Sequence, residues 1–378
     1  MKFPSFLRYS CWIVLLTAGC SLPARDFWVY LGTFTEGSSK GIYVSRLDAN
    51  TGELSDPKLA VATPDPSYLA LAPDQKHLYA DNEVNAGMVS AFSINPMSGE
   101  LKLLNQKDSG GSGPCHVSVD LSGQTLLVAN YGSGSIKSMP ILSDGRLGDG
   151  GTTIQYQGRG TNPIRQTGPH GHYLGVDPSN RFALGCDLGT DRIMVYRLDA
   201  ANGIMTTNDV PFGVVPPGSG PRHLVFSRDG KSVYVIDEMA CKITCFNWDN
   251  QTGILARRAS ISVLPHGETV QPDYTAAEIL LHPSGRFVYV TLRGHDSISV
   301  FAVDAATGSL ALIQNLPSGG KAPRGMGIDP TGHWLFTGNQ KTDNAVEFAI
   351  DPASGKLTPT KLQLQVGSPV DFKFVPVD

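Results

Sequence analysis

From residue 26 to the end, short apolar runs alternate with clusters of Gly, Asp, Asn, Pro and Ser, and no helical period persists over any long stretch. A turn of the form Asp/Asn, two or three residues, Gly, any residue, Leu/Ile recurs at Gly52, Gly99, Gly145, Gly203, Gly253, Gly308 and Gly355, at separations of 47, 46, 58, 50, 55 and 47 residues. Repeats of that length with β-rich content suit four-stranded propeller blades. A second series of turns appears in six of the units: Ala72-Pro-Asp-Gln75, Asp120-Leu-Ser-Gly123, Asp177-Pro-Ser-Asn180, Ser227-Arg-Asp-Gly230, His282-Pro-Ser-Gly285 and Asp329-Pro-Thr-Gly332. Each lies between two strand signals. His116-Val-Ser-Val119 and His223-Leu-Val-Phe226 precede it, and Thr125-Leu-Leu-Val128, Ser232-Val-Tyr-Val235 and Arg286-Phe-Val-Tyr-Val290 follow it.

The seventh unit is split. Phe27-Trp-Val-Tyr-Leu-Gly32 matches the second strand of the repeat and Pro369-Val-Asp-Phe-Lys-Phe374 the first. Pairing them would close the ring and remove exposed sheet edges. The pattern therefore predicts one all-β domain over 26–378, a seven-bladed β-propeller closed by its N- and C-terminal strands. The loop from about Leu147 to Gly168 is the only connection long enough to be functional.

Composition agrees. Glycine (42) and proline (26) make up close to a fifth of the 378 residues, against a usual share near 12 %. Apolar residues at 41 % are ample for a core. The net charge of -4, with no Lys/Arg cluster, argues against nucleic acid as a partner. Residues 1–20 read differently: Lys2 and Arg8 precede an apolar run from Cys11 to Ala18 that is too short to span a bilayer, then Gly19 and Cys20. This is an export signal, and Leu16-Thr-Ala-Gly-Cys20 resembles a lipobox in which Cys20 would be lipidated, although Thr17 replaces the usual aliphatic residue. Export without a lipid, or an uncleaved anchor, are the alternatives. A membrane is expected only through that anchor. The other cysteines, Cys115, Cys186, Cys241 and Cys245, are too few for a stapled scaffold and read as buried thiols; Cys241 and Cys245 should share one strand face, too far apart to pair.

Registering the blades on the second turn gives one column with Tyr68, His116, Tyr173, His223, Glu278 and Gly325, and a preceding column with Ser67, Cys115, His172, Arg222, Ala277 and Arg324. Both fall on the innermost strand and are expected to ring one mouth of the channel. The returning strands end there at Asn82-Glu83, Asn130-Tyr131, Asp187-Leu188, Asp237-Glu238, Leu292-Arg293 and Asn339-Gln340. Asn82, Asn130 and Asn339 also suit the simpler task of capping strand ends. His77, His266, His282, His295 and His333 lie outside the register and read as structural. No zinc-type spacing is present and no cofactor is expected, though three histidines near one axis leave a divalent ion open.

These residues lie in Gly113-Pro-Cys-His-Val-Ser118, Val128-Ala-Asn-Tyr131, Pro169-His-Gly-His172, Cys186-Asp-Leu-Gly-Thr-Asp191, Gly220-Pro-Arg-His-Leu224, Asp237-Glu238, Ala276-Ala-Glu-Ile279, Arg293-Gly-His-Asp-Ser-Ile298 and Gly338-Asn-Gln340. In these motifs the chain resembles the bacterial propeller-type 6-phosphogluconolactonase family, itself similar to fungal carboxymuconate-lactonizing enzymes. The resemblance implies a seven-bladed propeller that acts on a lactone, with His170 or His172, Arg222, Glu238 and Arg293 as catalytic residues. His116, His223, Glu278, Arg324, Asn130, Asn339 and Gln340 are then candidates for binding the substrate. Opening a lactone needs a base for water and a stabiliser for the oxyanion; His172 or Glu238 could be the base, and the arginines could hold the oxyanion or a substrate phosphate or carboxylate. Lactone formation by the same groups is the reverse reading. A non-catalytic envelope propeller that binds carbohydrate or protein is the other alternative; it predicts that Arg222, Glu238 and Arg293 point apart, or that the 147–168 loop plugs the mouth.

Overall fold

The computed structural model describes residues 25–377. They form 28 strands, from β1 (Phe27–Thr33) to β28 (Pro369–Pro376), in seven four-stranded antiparallel sheets. Six sheets are meanders of consecutive strands. The seventh has the order β28, β1, β2 (Gly41–Leu47), β3 (Lys58–Ala62), so the last strand of the chain becomes the innermost strand of the first blade. Phe27 pairs with Pro376 and Leu31 with Phe372. The other inner strands are β4 (Leu69–Leu71), β8 (Pro114–Val119), β12 (Gly171–Val176), β16 (Pro221–Phe226), β20 (Thr275–Leu281) and β24 (Pro323–Ile328). Each touches the next, and β24 touches β28 and β28 touches β4, which closes the ring.

Seven apolar clusters fill the seven clefts between neighbouring blades. This placement explains the hydrophobic pattern. The second strand of a blade is covered on both faces, so Phe182–Asp187 and Ser232–Asp237 are buried at every position. The outermost strand faces solvent, so Ile254–Ser262 is mostly exposed.

The recurring glycine turn proves to be a latch between blades. Tyr30, Tyr79, Tyr234 and Tyr289 each donate their hydroxyl to the carbonyl of the turn glycine on the following blade, Gly99, Gly145, Gly308 and Gly355, at 2.8–3.0 Å. Around the ring seam, Trp334 Nε1 donates to Ala49 O at 3.1 Å and its ring lies against Gly52. Three turns of the second series are tied by their leading aspartate: Asp120 Oδ1 accepts from the amides of Gln124 and Thr125, Asp177 Oδ1 from those of Arg181 and Phe182, and Asp329 Oδ1 from those of His333 and Trp334.

The four cysteines of the described residues are free and buried. Cys241 departs from the expected strand position: it holds a left-handed turn (φ 48°) just before the strand Lys242–Asp249 that carries Cys245. The export signal and Cys20 lie outside the described residues.

Candidate active site

On six inner strands the pairing slips near the same end, leaving Val370 extra on β28 and, on the other five, Cys115, His172, Arg222, Arg324 and one residue of the pair Ala277–Glu278. A β-bulge re-aims the side chain it adds, and those on the five strands are the residues of the chemical register. The bulges separate the two columns that were expected at one mouth. His172 and Arg324 line a cavity of about 190 Å³ together with Glu83, Tyr131, Arg165, Glu238 and Arg293. Tyr68, His116, Tyr173, His223 and Glu278 line a second cavity of about 270 Å³ that runs down the inner strands, away from that mouth. The expectation of a single mouth is thus corrected: His116, His223 and Glu278 belong to the other cavity.

Glu238 organises the upper cavity. It follows the last residue of the strand Ser232–Asp237, is 3 % exposed, and receives three guanidiniums. Arg293 Nη2 lies 2.9 Å from its Oε2 and Arg222 Nε 3.3 Å from the same oxygen, while Arg165 Nη2 donates to Oε1 at 2.7 Å. Burial opposes ionisation of Glu238, but Arg293, Arg222 and Arg165 outweigh it and hold its pKa at about 2. Arg222, Glu238 and Arg293 therefore converge, against the geometry expected of the non-catalytic alternative.

Arg222 itself does not line the cavity. It lies behind Glu238, donating to Ala277 O at 2.6 Å, with Nη1 3.4 Å from His223 Nδ1. His170 stacks on Tyr131 with ring centres 4.4 Å apart, and its Nδ1 lies 2.9 Å from Tyr131 O, so it shapes the wall from outside the lining. Asn130 and Asn339 are fully buried caps: their Nδ2 groups donate to Ser109 O and Ser318 O at 3.0 and 3.2 Å. Gln340 is outside the lining too, and its amide donates to Ala322 O. The strand-end repeat that suggested substrate contacts arises here from the need to satisfy carbonyls of the connecting loops.

A model of the seven-bladed lactonase β-propeller family matches residues 28–374. The chain belongs to that family. It is 36 % identical to a 6-phosphogluconolactonase of Bacillus subtilis over 92 % of this chain and 97 % of that one, and 32 % identical to a 6-phosphogluconolactonase of Formosa agariphila over 89 % and 96 %. Among solved structures it is similar to the periplasmic gluconolactonase of Pseudomonas aeruginosa, with a TM-score of 0.88 and 33 % identity over 93 % of this chain and all of that one.

The upper cavity carries more positive than negative groups in its lining. Arg165, Arg293 and Arg324 line it against two carboxylates, Glu83 and Glu238, and Arg222 adds a fourth cation behind. Burial, with Arg222 and Arg324 nearby, pushes Arg293 down to about 10, so it stays protonated at neutral pH. His172 is forced the other way: burial first, then Arg222, His223 and Arg324, hold its pKa well below 6.5, so its imidazole is neutral. Its Nδ1 lies 3.7 Å from Cys115 Sγ. Among the described residues no group of three or more His, Cys, Asp or Glu side chains is arranged to hold a metal ion.

Arg165 is the site residue that the register missed. It comes from the 147–168 connection, which also carries a short outer strand, Thr153–Gln155. Between residues 150 and 168 the chain has two arginines and no acid, and that imbalance was the available signal.

Proposed function

We propose that this lactonase hydrolyses a sugar lactone in the upper cavity, with His172 as general base and Arg293 as oxyanion stabiliser. The observation that carries this reading is a neutral, buried imidazole opening on the same small cavity as fixed guanidiniums. His172 accepts a proton from water as the water oxygen bonds to the ester carbonyl carbon, and negative charge moves to the carbonyl oxygen beside Arg293. When the ring C–O bond breaks, the leaving alkoxide takes that proton from His172, and the product is a hydroxy acid. An imidazolium near Arg222 and Arg324 is disfavoured, which promotes the return of the proton. Glu238, with both oxygens occupied by guanidiniums and a pKa near 2, is too weak a base for this step. It aligns Arg293.

The relatives named above support the sugar class, and residues 1–20 together with the periplasmic relative support an extracytoplasmic site of action. The test is proton release from δ-gluconolactone and 6-phosphogluconolactone by residues 21–378, measured over spontaneous hydrolysis, beside His172→Ala. No acceleration of either lactone overturns the reading. Export is tested by cell fractionation: Cys20→Ser moves a lipoprotein from the membrane to the soluble envelope fraction.

A further inference from the structure

We infer that Arg165 is the specificity-determining residue for an anionic group, a phosphate or a second carboxylate, carried by the lactone away from its ester. This rests on the hydrolase reading of the same cavity.

The arginines around Glu238 are not equivalent. Arg222 is 3 % exposed and spends Nη1 on a backbone carbonyl, and Arg293 shares Nη2 between Glu238 and Ala276 O. These carbonyls tie Arg222 to the neighbouring blade and Arg293 to its own, and both side chains are held well inside the protein, although Arg293 Nε is buried without a partner. Arg165 has a side chain 38 % exposed and reaches the cavity from the loop. Its hydrogen bonds all use Nη2, to Tyr131 Oη at 3.1 Å and Glu238 Oε1 at 2.7 Å. Nε and Nη1 have no protein acceptor among the described residues. A guanidinium with an unused edge is the group that binds a phosphate or carboxylate through two parallel donors.

The backbone behind it is fixed. Gln166 is 1 % exposed and donates through Nε2 to Leu188 O and Asp191 Oδ1, both at 2.8 Å. Asn162 Oδ1 accepts from the Arg165 amide at 3.0 Å. Only the side chain needs to turn toward an arriving anion, and if it leaves Glu238, that carboxylate keeps Arg222 and Arg293. Arg165 and Arg293 occupy opposite oxygens of Glu238, so they offer two separate cationic positions, while the third lining arginine, Arg324, lies 3.8 Å from Glu83. One is buried and suits the charge that develops at the ester; the other is half-exposed and suits a charge the substrate already carries.

The experiment compares calorimetric binding of 6-phosphogluconate, glucarate and gluconate to residues 21–378 and to Arg165→Gln, with the ratio of KM values for 6-phosphogluconolactone and δ-gluconolactone as the kinetic arm. The parent protein is expected to bind 6-phosphogluconate or glucarate at least tenfold more tightly than gluconate, and the comparison of those two identifies phosphate or carboxylate as the group. In Arg165→Gln that preference, and the KM ratio, fall about 10- to 100-fold toward one, while Arg165→Lys recovers part of the preference. Thermal unfolding of the variants checks that they are folded. Equal binding of all three acids by the parent, or an equal loss for all three in Arg165→Gln, overturns the role of Arg165. Discrimination without turnover of any lactone overturns the hydrolase reading and leaves an anion-binding site.

Discussion

Arg293 and Glu238 form a 2.9 Å ion pair across two adjacent blades, with both side chains largely withdrawn from solvent and Arg222 3.3 Å from the same carboxylate oxygen. A buried carboxylate shared by two buried cations is costly to remove, because each guanidinium is left without its counter-charge. Glu238→Gln preserves shape and deletes the charge. It is expected to lower the melting temperature by about 5 °C and kcat/KM by about 100-fold, as Arg293 loses alignment on the oxyanion. Calorimetry and steady-state kinetics on the same preparation check this; full activity in a destabilised variant would leave Glu238 a purely structural role.

The acid side of the pH profile reports on His172. The active form is neutral and its pKa is held well below 6.5. Activity should therefore persist as pH falls through 6.5 and decline only below it, where the imidazole becomes protonated. An acidic limb centred at or above 6.5 would point to another base. His172→Ala should lose about 10²- to 10⁴-fold in kcat and flatten that limb.

The repeating parts of this architecture were legible because they are set by short-range chemistry. The glycines of the recurring turn need a left-handed conformation, and the apolar runs mark strands covered on both faces. His172 surfaced in the inner-strand column, and Glu238 and Arg293 at matching ends of the returning strands of adjacent blades. Register also misled: Asn130 and Asn339 share it and serve only to cap loop carbonyls, and His116 and His223 share it but fall on the far side of the bulges. A one-residue bulge leaves no mark in an alternating pattern. Arg165 escaped the register for the opposite reason: it lies in an insertion with no counterpart in the other blades, and only the local excess of positive charge could have pointed to it.

The interblade latch makes its own prediction. Tyr289 Oη donates to Gly355 O at 2.8 Å in a fully buried setting. Tyr289→Phe leaves that carbonyl unpaired and should cost about 1 kcal/mol, near 2 °C in melting temperature. Gly355→Ala should cost far more, about 3 kcal/mol or above, because φ is +72° there and the added Cβ would fall 2.3 Å from the Phe287 ring. Equal effects of the two substitutions would show that the hydroxyl, not the close approach of backbone and ring, dominates the latch.

Asp237 ends its strand where Asn82, Asn130 and Asn339 end theirs. The three asparagines donate an amide to a loop carbonyl. Asp237 has no such donor when ionised: Thr244 donates to Oδ2 at 2.5 Å, while Oδ1 is buried without a partner. Burial raises its pKa from 3.8 to about 8. The folded protein thus holds a proton on Asp237 between these values that the unfolded chain has released, so this residue subtracts stability as pH rises from 4 to 8. Asp237→Asn removes the titration and supplies the donor its counterparts use. The variant should match the parent near pH 4 and exceed it in stability by about 1 kcal/mol more for each pH unit up to 8. Denaturant unfolding of both proteins across that range measures the difference, and a gap that does not widen with pH would mean that Asp237 is ionised in the folded protein.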